Sequence, residues 1–135
     1  ASRTSTTDIR IAANEIPYKD GFFVAEGGVN RESIEVGNGN YGVLNIYAPN
    51  PLGCQGDEAP DDCPNTLPPP APHAVDGDPY DFELWYEGYF NPPSGYSPLY
   101  CSRYDYTAKD VELQDPNRGN VQMDSRFYRI GPKAH

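Results

Sequence analysis

From Glu32 to Ser102 the sequence contains no lysine and no arginine, although those 71 residues hold eleven of its twenty acids. The flanks are balanced, with four acids and four bases in residues 1–31 and five acids and six bases in residues 103–135, so the whole net charge of −10 lies in the middle. Phosphate recognition needs a cationic footprint, which excludes nucleic acid as the partner of that segment and argues against an anionic membrane surface. Long apolar runs are missing too, and nothing approaches the ~20 residues of a membrane span. No stretch is rich in Ala, Leu, Glu and Lys, while 13 Gly and 15 Pro punctuate the chain, a balance that favours strands and turns over helices.

Catalytic chemistry is equally thin. The two histidines, His73 in a proline run and His135 at the last position, belong to no recognisable constellation. GxSxG, HExxH, P-loop and GxGxxG patterns do not occur. Glu83 and Glu87 share a strand face but stand roughly 13 Å apart, too far to flank a glycosidic bond. A non-catalytic protein is expected. Only three cysteines are present, with gaps of eight and thirty-seven residues between them, so no zinc knuckle can be drawn. Cys54 and Cys63 bracket a short acidic stretch and are expected to bridge, which implies an oxidising compartment or an exterior surface. Cys101 is then left over as a small buried hydrophobe.

What the chain does have is tyrosine. Tyr80 to Tyr106 contains ten of the seventeen aromatic residues and reads as two strands and a turn. Tyr80, Phe82, Leu84 and Tyr86 alternate with Asp81, Glu83, Trp85 and Glu87, the period of two of a half-buried strand. After Asn91-Pro92-Pro93-Ser94-Gly95, Tyr100, Ser102, Tyr104 and Tyr106 alternate against Leu99, Cys101, Arg103 and Asp105. Tyr80, Phe82, Trp85, Tyr86, Tyr89, Tyr100 and Tyr104 form the candidate binding face, since aromatic residues are enriched at protein interfaces. Trp85 between two acids also matches a sugar platform, with the ring stacking on a pyranose and the acids bonding its hydroxyls.

Elsewhere, residues 1–7 are small and polar, have no signal-peptide apolar region, and read as an extended arm able to lie on the sheet edge of a neighbouring copy. Asp8 to Ala12 alternates as a short strand. Gly21 to Glu26 reads as a strand between turns at Lys19-Asp20-Gly21 and Gly27-Gly28. Glu32 to Val36 and Tyr41 to Ala48 read as a hairpin closed by Gly37-Asn38-Gly39-Asn40. Residues 49–79 hold nine of the fifteen prolines and form a surface excursion, with Pro68 to Pro72 as polyproline II. Thr107 to Asp110 resembles a capping box before one helical turn, and Val121 to Ile130 is the last strand, with a bulge where its apolar face switches.

One domain spanning 1–135 is expected: an all-β antiparallel sandwich or barrel of seven or eight strands, with a long Pro-rich loop and at most one short helix. Oxygen ligands for calcium are offered by Asp57, Asp61 and Asp62 and by Asp76 and Asp78, without EF-hand spacing. The favoured function is a structural or assembly subunit of an exterior surface, an extracellular filament or a virion coat. Its contacts with protein partners or its own copies would be the arm and the Tyr-rich face. The alternative is a secreted carbohydrate-binding module, with calcium as support.

Overall fold

The computed structural model describes residues 5–11, 19–42, 45–56, 60–64, 67–115 and 121–134, and the backbone alone for 5–11, 19 and 20. They form β1 (Ser5–Ile11), α1 (Lys19–Gly37), β2 (Asn50–Gln55), β3 (Ala74–Val75), β4 (Asp78–Phe90), β5 (Cys101–Leu113) and β6 (Val121–Pro132). The strands make one antiparallel sheet in the order β1-β6-β5-β4-β2, and the two-residue β3 hairpins onto β4. The chain is thus mostly β and antiparallel, but in place of seven or eight strands in a sandwich or barrel there is a single sheet with a 19-residue helix on one face.

The helix replaces two expected strands and the turn between them. Gly21, Val24, Ala25, Gly28, Val29, Glu32 and Val36 are buried, on the i, i+3, i+4, i+7 pattern of a helical stripe. Gly27-Gly28 marks a close approach and no turn: a Cβ on Gly27 would meet Val75 Cγ2 at 2.8 Å, and one on Gly28 would meet Val111 Cγ1 at 2.9 Å and the Tyr80 ring at 3.0 Å. Gly37 to Asn40 does turn, but as the end of α1, where Asn38 N–H donates to Ile34 O and Gly39, at φ 75°, donates to Val36 O. The hairpin from Glu32 to Ala48 therefore does not exist, and Asn45 to Ala48 is turn and bend.

The aromatic hairpin is β4 and β5, both thirteen residues long. Tyr80, Phe82, Leu84 and Tyr86 all face α1 with at most 1 % exposure, each contributing about 1.5–3 kcal/mol by burial. β5 runs through the expected capping box to Leu113; Asp110 takes φ 55° within a register shift between Ala108 and Val111, and its N–H is held by Asp124 Oδ1 at 2.8 Å. The bulge expected in Val121 to Ile130, where the apolar face switches, is not formed, since β6 pairs without a shift from Ser125 to Pro132; the bulge lies on β5 instead. Ser5 to Thr7 of the expected arm is the start of β1, paired with Phe127 to Ser125 of the same chain, and residues 1–4 lie outside the described residues. The Pro-rich excursion includes β2 and β3, and its proline run is no continuous polyproline II helix, because the Pro69–Pro70 and Ala71–Pro72 bonds are cis.

Strand and helix differ in length. Thirteen residues of β4 span about 43 Å at ~3.3 Å each, whereas nineteen residues of α1 span about 28 Å at ~1.5 Å each. The helix C-terminus stops at Arg129, whose Nη1 donates to Val36 O at 3.3 Å. Beyond it the helix side of the sheet, toward Tyr89, Tyr104 and Pro132, has no helix over it among the described residues.

Candidate functional site

Three arrangements of polar and aromatic side chains stand out. The first is buried. Glu32, on the inner stripe of α1, accepts hydrogen bonds from the hydroxyls of Tyr41 and Tyr80, and its Oε2 lies 2.7 Å from His73 Nδ1. Glu32 and His73 are both 0 % exposed. His73 Nε2 lies 2.7 Å from Pro68 O; a carbonyl only accepts, so this nitrogen carries a proton. The ring also stacks on Phe82, and Gln55 closes the loop by donating to His73 O and Tyr80 O and accepting from His73 N–H.

Burial alone would lower the His73 pKa, but the hydrogen bond and charge of Glu32 and the Pro68 carbonyl reverse this and hold it above its ordinary 6.5. Burial, followed by the charge and hydrogen bond of Glu32, pushes both the Tyr41 and Tyr80 phenols well above their usual range. Every donor in the cluster has an acceptor, and solvent reaches neither the acid nor the imidazole. The arrangement ties helix, sheet and proline loop together and leaves no face for a substrate. Arg31 fastens the same loop from outside, donating to Ala74 O and Pro70 O.

The second arrangement is the outer face of the sheet. Lys109 Nζ lies 4.7 Å from the centre of the Trp85 ring, and Trp85 Nε1 donates to Glu83 at 3.3 Å. Farther along, Asp105 is bonded by both Arg103 and Arg126, and Arg103 stands over Phe90 and Tyr128. Trp85 is half-buried with a cation on one ring face, so a sugar would have to displace Lys109 to stack there. Burial, with Asp110 beside it, raises the Glu83 pKa against the pull of the Trp85 hydrogen bond. Glu83, Asp81, Asp110 and Glu112 line a small cleft of about 60 Å³ with Gln55 and Gly56.

The third lies on the helix side beyond the end of α1. Ile46, Tyr86, Tyr104, Tyr106, Arg129, Gly131 and Pro132 line an open groove of about 210 Å³. Its rings are fixed by their hydroxyls: Tyr86 donates to Ile46 O at 2.6 Å and Tyr104 donates to Pro132 O. The Arg129 guanidinium opposes the rise that burial gives the Tyr106 phenol. Around the groove and the β4–β5 tip, Tyr47, Tyr89, Phe90, Leu99 and Tyr100 are exposed, the last two by 72 % and 75 %, and Tyr47 meets Tyr89 edge-on at 5.9 Å.

The expected binding face is therefore split. Tyr80, Phe82 and Tyr86 belong to the core, because their strand face is the one α1 covers; Trp85 is on the opposite face; Tyr89, Tyr100 and Tyr104 lie together at the uncovered end. The Cys54–Cys63 disulfide is formed and Cys101 is a half-buried free thiol. Of the expected calcium ligands, Asp57 lies outside the described residues, Asp61, Asp62 and Asp76 are exposed, and Asp78 is half-buried. Among the described residues no three His, Cys, Asp or Glu side chains are placed to hold a metal ion.

No protein-family model, curated protein or solved structure matches the chain. Among the described residues no helix is long and apolar enough to cross a membrane. The sequence held no sign of the Glu32–His73 pair, whose members are 41 residues apart, or of Arg129. The buried stripe of α1 was the one available signal, since it places an acid where an apolar residue is usual.

Proposed function

We propose that this protein is a non-catalytic assembly subunit of an exterior surface, an extracellular filament or virion coat, and that it joins its neighbours through the uncovered tyrosine end of its sheet. The observation that carries the reading is the cluster of Tyr47, Tyr89, Phe90, Leu99 and Tyr100, large apolar side chains left in solvent at one end of the molecule. Tyr89 and Phe90 stand on β4 and are held in place before binding, so they supply contact area at low ordering cost. The disulfide and the exposed acids suit an oxidising exterior. The competing reading, a secreted glycan-binding module, relies on Trp85 and predicts quenching of its fluorescence by polysaccharide.

The test is solution mass by light scattering over a range of concentrations, without reducing agent or chelator. Wild-type protein should exceed its single-chain 14.9 kDa as concentration rises, and Leu99→Ser with Tyr100→Ser should hold it near that mass with unchanged thermal stability. A wild-type mass fixed at one chain up to the solubility limit would remove self-assembly as the function.

A further inference from the structure

Two features of opposite charge lie toward opposite ends of the strands. At one end is the Tyr/Arg groove. Its volume of about 210 Å³ is below the ~300 Å³ at which small-molecule sites begin, a size that suits one or two side chains of a protein partner. No acid is among the seven residues lining it, and Arg129 supplies a guanidinium with five donors, of which Nη1 bonds Val36 O. Lys133 stands beyond Pro132, its Nζ bonded to Pro98 O. The groove is built to receive a carboxylate between tyrosine rings.

Such a carboxylate exists on the same chain. Cys63 N–H donates to Pro60 O at 3.1 Å, which makes Pro60 to Cys63 a tight turn with Asp61 and Asp62 at its corner, both exposed. The disulfide from Cys63 to Cys54 anchors this turn to β2. β2 pairs from Asn50 opposite Tyr86 to Gln55 opposite Phe82, so the turn leaves the sheet at the end away from Tyr89 and Pro132. Neither Asp61 nor Asp62 lines the groove of its own chain, so a second copy is the one to present them.

Resting on the assembly reading, we propose that the Asp61-Asp62 turn of one copy docks in the Tyr86–Tyr104–Arg129 groove of the next. The contact is heterologous, head to tail, because the two surfaces are different, and it continues along a row of copies unless the rotation closes a ring. Charge complementarity selects the partner: the segment from Glu32 to Ser102 offers eleven acids and no Lys or Arg to repel Arg129.

The test uses two variants of the full chain, Arg129→Gln, which neutralises the groove, and Asp61→Lys with Asp62→Lys, which reverses the turn. Alone, each should associate about tenfold more weakly than wild type in sedimentation velocity, and added salt should weaken wild type likewise. Mixed one to one, the first variant's intact turn meets the second's intact groove, so the mixture should give twice the single-chain mass and nothing larger. Wild-type self-association that both variants retain would overturn this contact and leave the assembly reading standing; a mixture that stays at single-chain mass would also overturn it. A wild type that never exceeds one chain would sink both. The Lys variant changes only exposed turn residues, so its result does not depend on how well Arg129→Gln folds.

Discussion

Replacing Glu32 with Gln keeps the shape of the side chain and removes the charge that Tyr41, Tyr80 and His73 share. The amide has one acceptor oxygen, so one of the two buried hydroxyls loses its partner, at a cost of about 1–3 kcal/mol. The amide N–H can reach Nδ1 of a neutral His73, but the remaining bonds lose their charge assistance, worth about 1 kcal/mol more. The sum, about 2–4 kcal/mol, lies at or below the ~3–5 kcal/mol of halving a buried ion pair. For a domain of this size that is a fall of about 8–16 °C in Tm. The pH dependence is the sharper signature. The folded His73 pKa is raised above 6.5, so between the unfolded and folded values the native state holds a proton that the unfolded chain has lost. Wild-type stability is then fully present below about pH 6.5 and falls by about 1.4 kcal/mol per pH unit through that window. In Glu32→Gln the cause of the rise is gone and so is the fall. Urea unfolding of both proteins from pH 6 to 9 should show a gap that is widest at pH 6 and narrows upward. A gap below about 0.5 kcal/mol, or one that widens with pH, would refute the charged Glu32–His73 pair.

Gly28→Ala gains about 1 kcal/mol of helix propensity but puts a methyl 2.9 Å from Val111 Cγ1 and 3.0 Å from the Tyr80 ring. Overpacking of about 1–3 kcal/mol should outweigh the gain, and a variant more stable than wild type in urea would show that α1 sits farther from the sheet. Cys54→Ser with Cys63→Ser frees a loop with a sequence separation of 9, which in the chain-entropy model costs about 2.6 kcal/mol; thermal unfolding unaffected by the double substitution would contradict this. Alkaline titration followed by near-ultraviolet absorbance should show late phenols. Tyr86 is pushed up to about 12 by burial and by Tyr106 beside it, and Tyr41 and Tyr80 rise further. Because these folded values exceed the unfolded 10, their share of stability is whole below pH 10 and shrinks above it. Complete titration of every tyrosine near pH 10 with the fold intact would count against the buried cluster.

The period-two pattern of Tyr80, Phe82, Leu84 and Tyr86 was readable because a strand with one covered face must alternate, and the same logic located β6, while the spacing of Cys54 and Cys63 located the disulfide. Alternation shows that one face is apolar without showing what covers it, and α1 buries Tyr80 and Phe82 of the expected binding face while Tyr89 and Tyr100 stay exposed. The cover, α1, was disguised by its own packing. Its stripe contains Gly28, a poor helix former required by the approach to Val111 and Tyr80, and Glu32, a charge required by the cluster that interrupts the apolar pattern. Asn45 to Ala48 was drawn as part of a strand from its β-branched and aromatic neighbours, yet Tyr86 bonds Ile46 O from outside any ladder. The uncovered end could not be foreseen at all, because it follows from the difference in length between helix and strands.

The segregation of charge along the sequence carries over into space only in part, since Lys109 on β5 reaches Glu87 on β4 at 3.9 Å. Arg103, Lys109, Arg126 and Arg129 all lie on β5 and β6, and Arg103 and Arg126 converge on Asp105 of the same pair of strands. The acids of residues 32–102 have no such neighbour within their own segment, where His73 is the one side chain able to carry positive charge. That histidine is used on Glu32, the acid among them with no exposure at all. Asp61, Asp62 and Asp76 are left exposed on the β2 side with no lysine or arginine of their own segment beside them, while Arg129 waits beneath a groove without an acid. A chain that could neutralise its surface locally would gain little from a neighbour's charge. Under the assembly proposal, Asp61 and Asp62 of one copy pair with Arg129 of the next, and that pairing should weaken as salt shortens the reach of both.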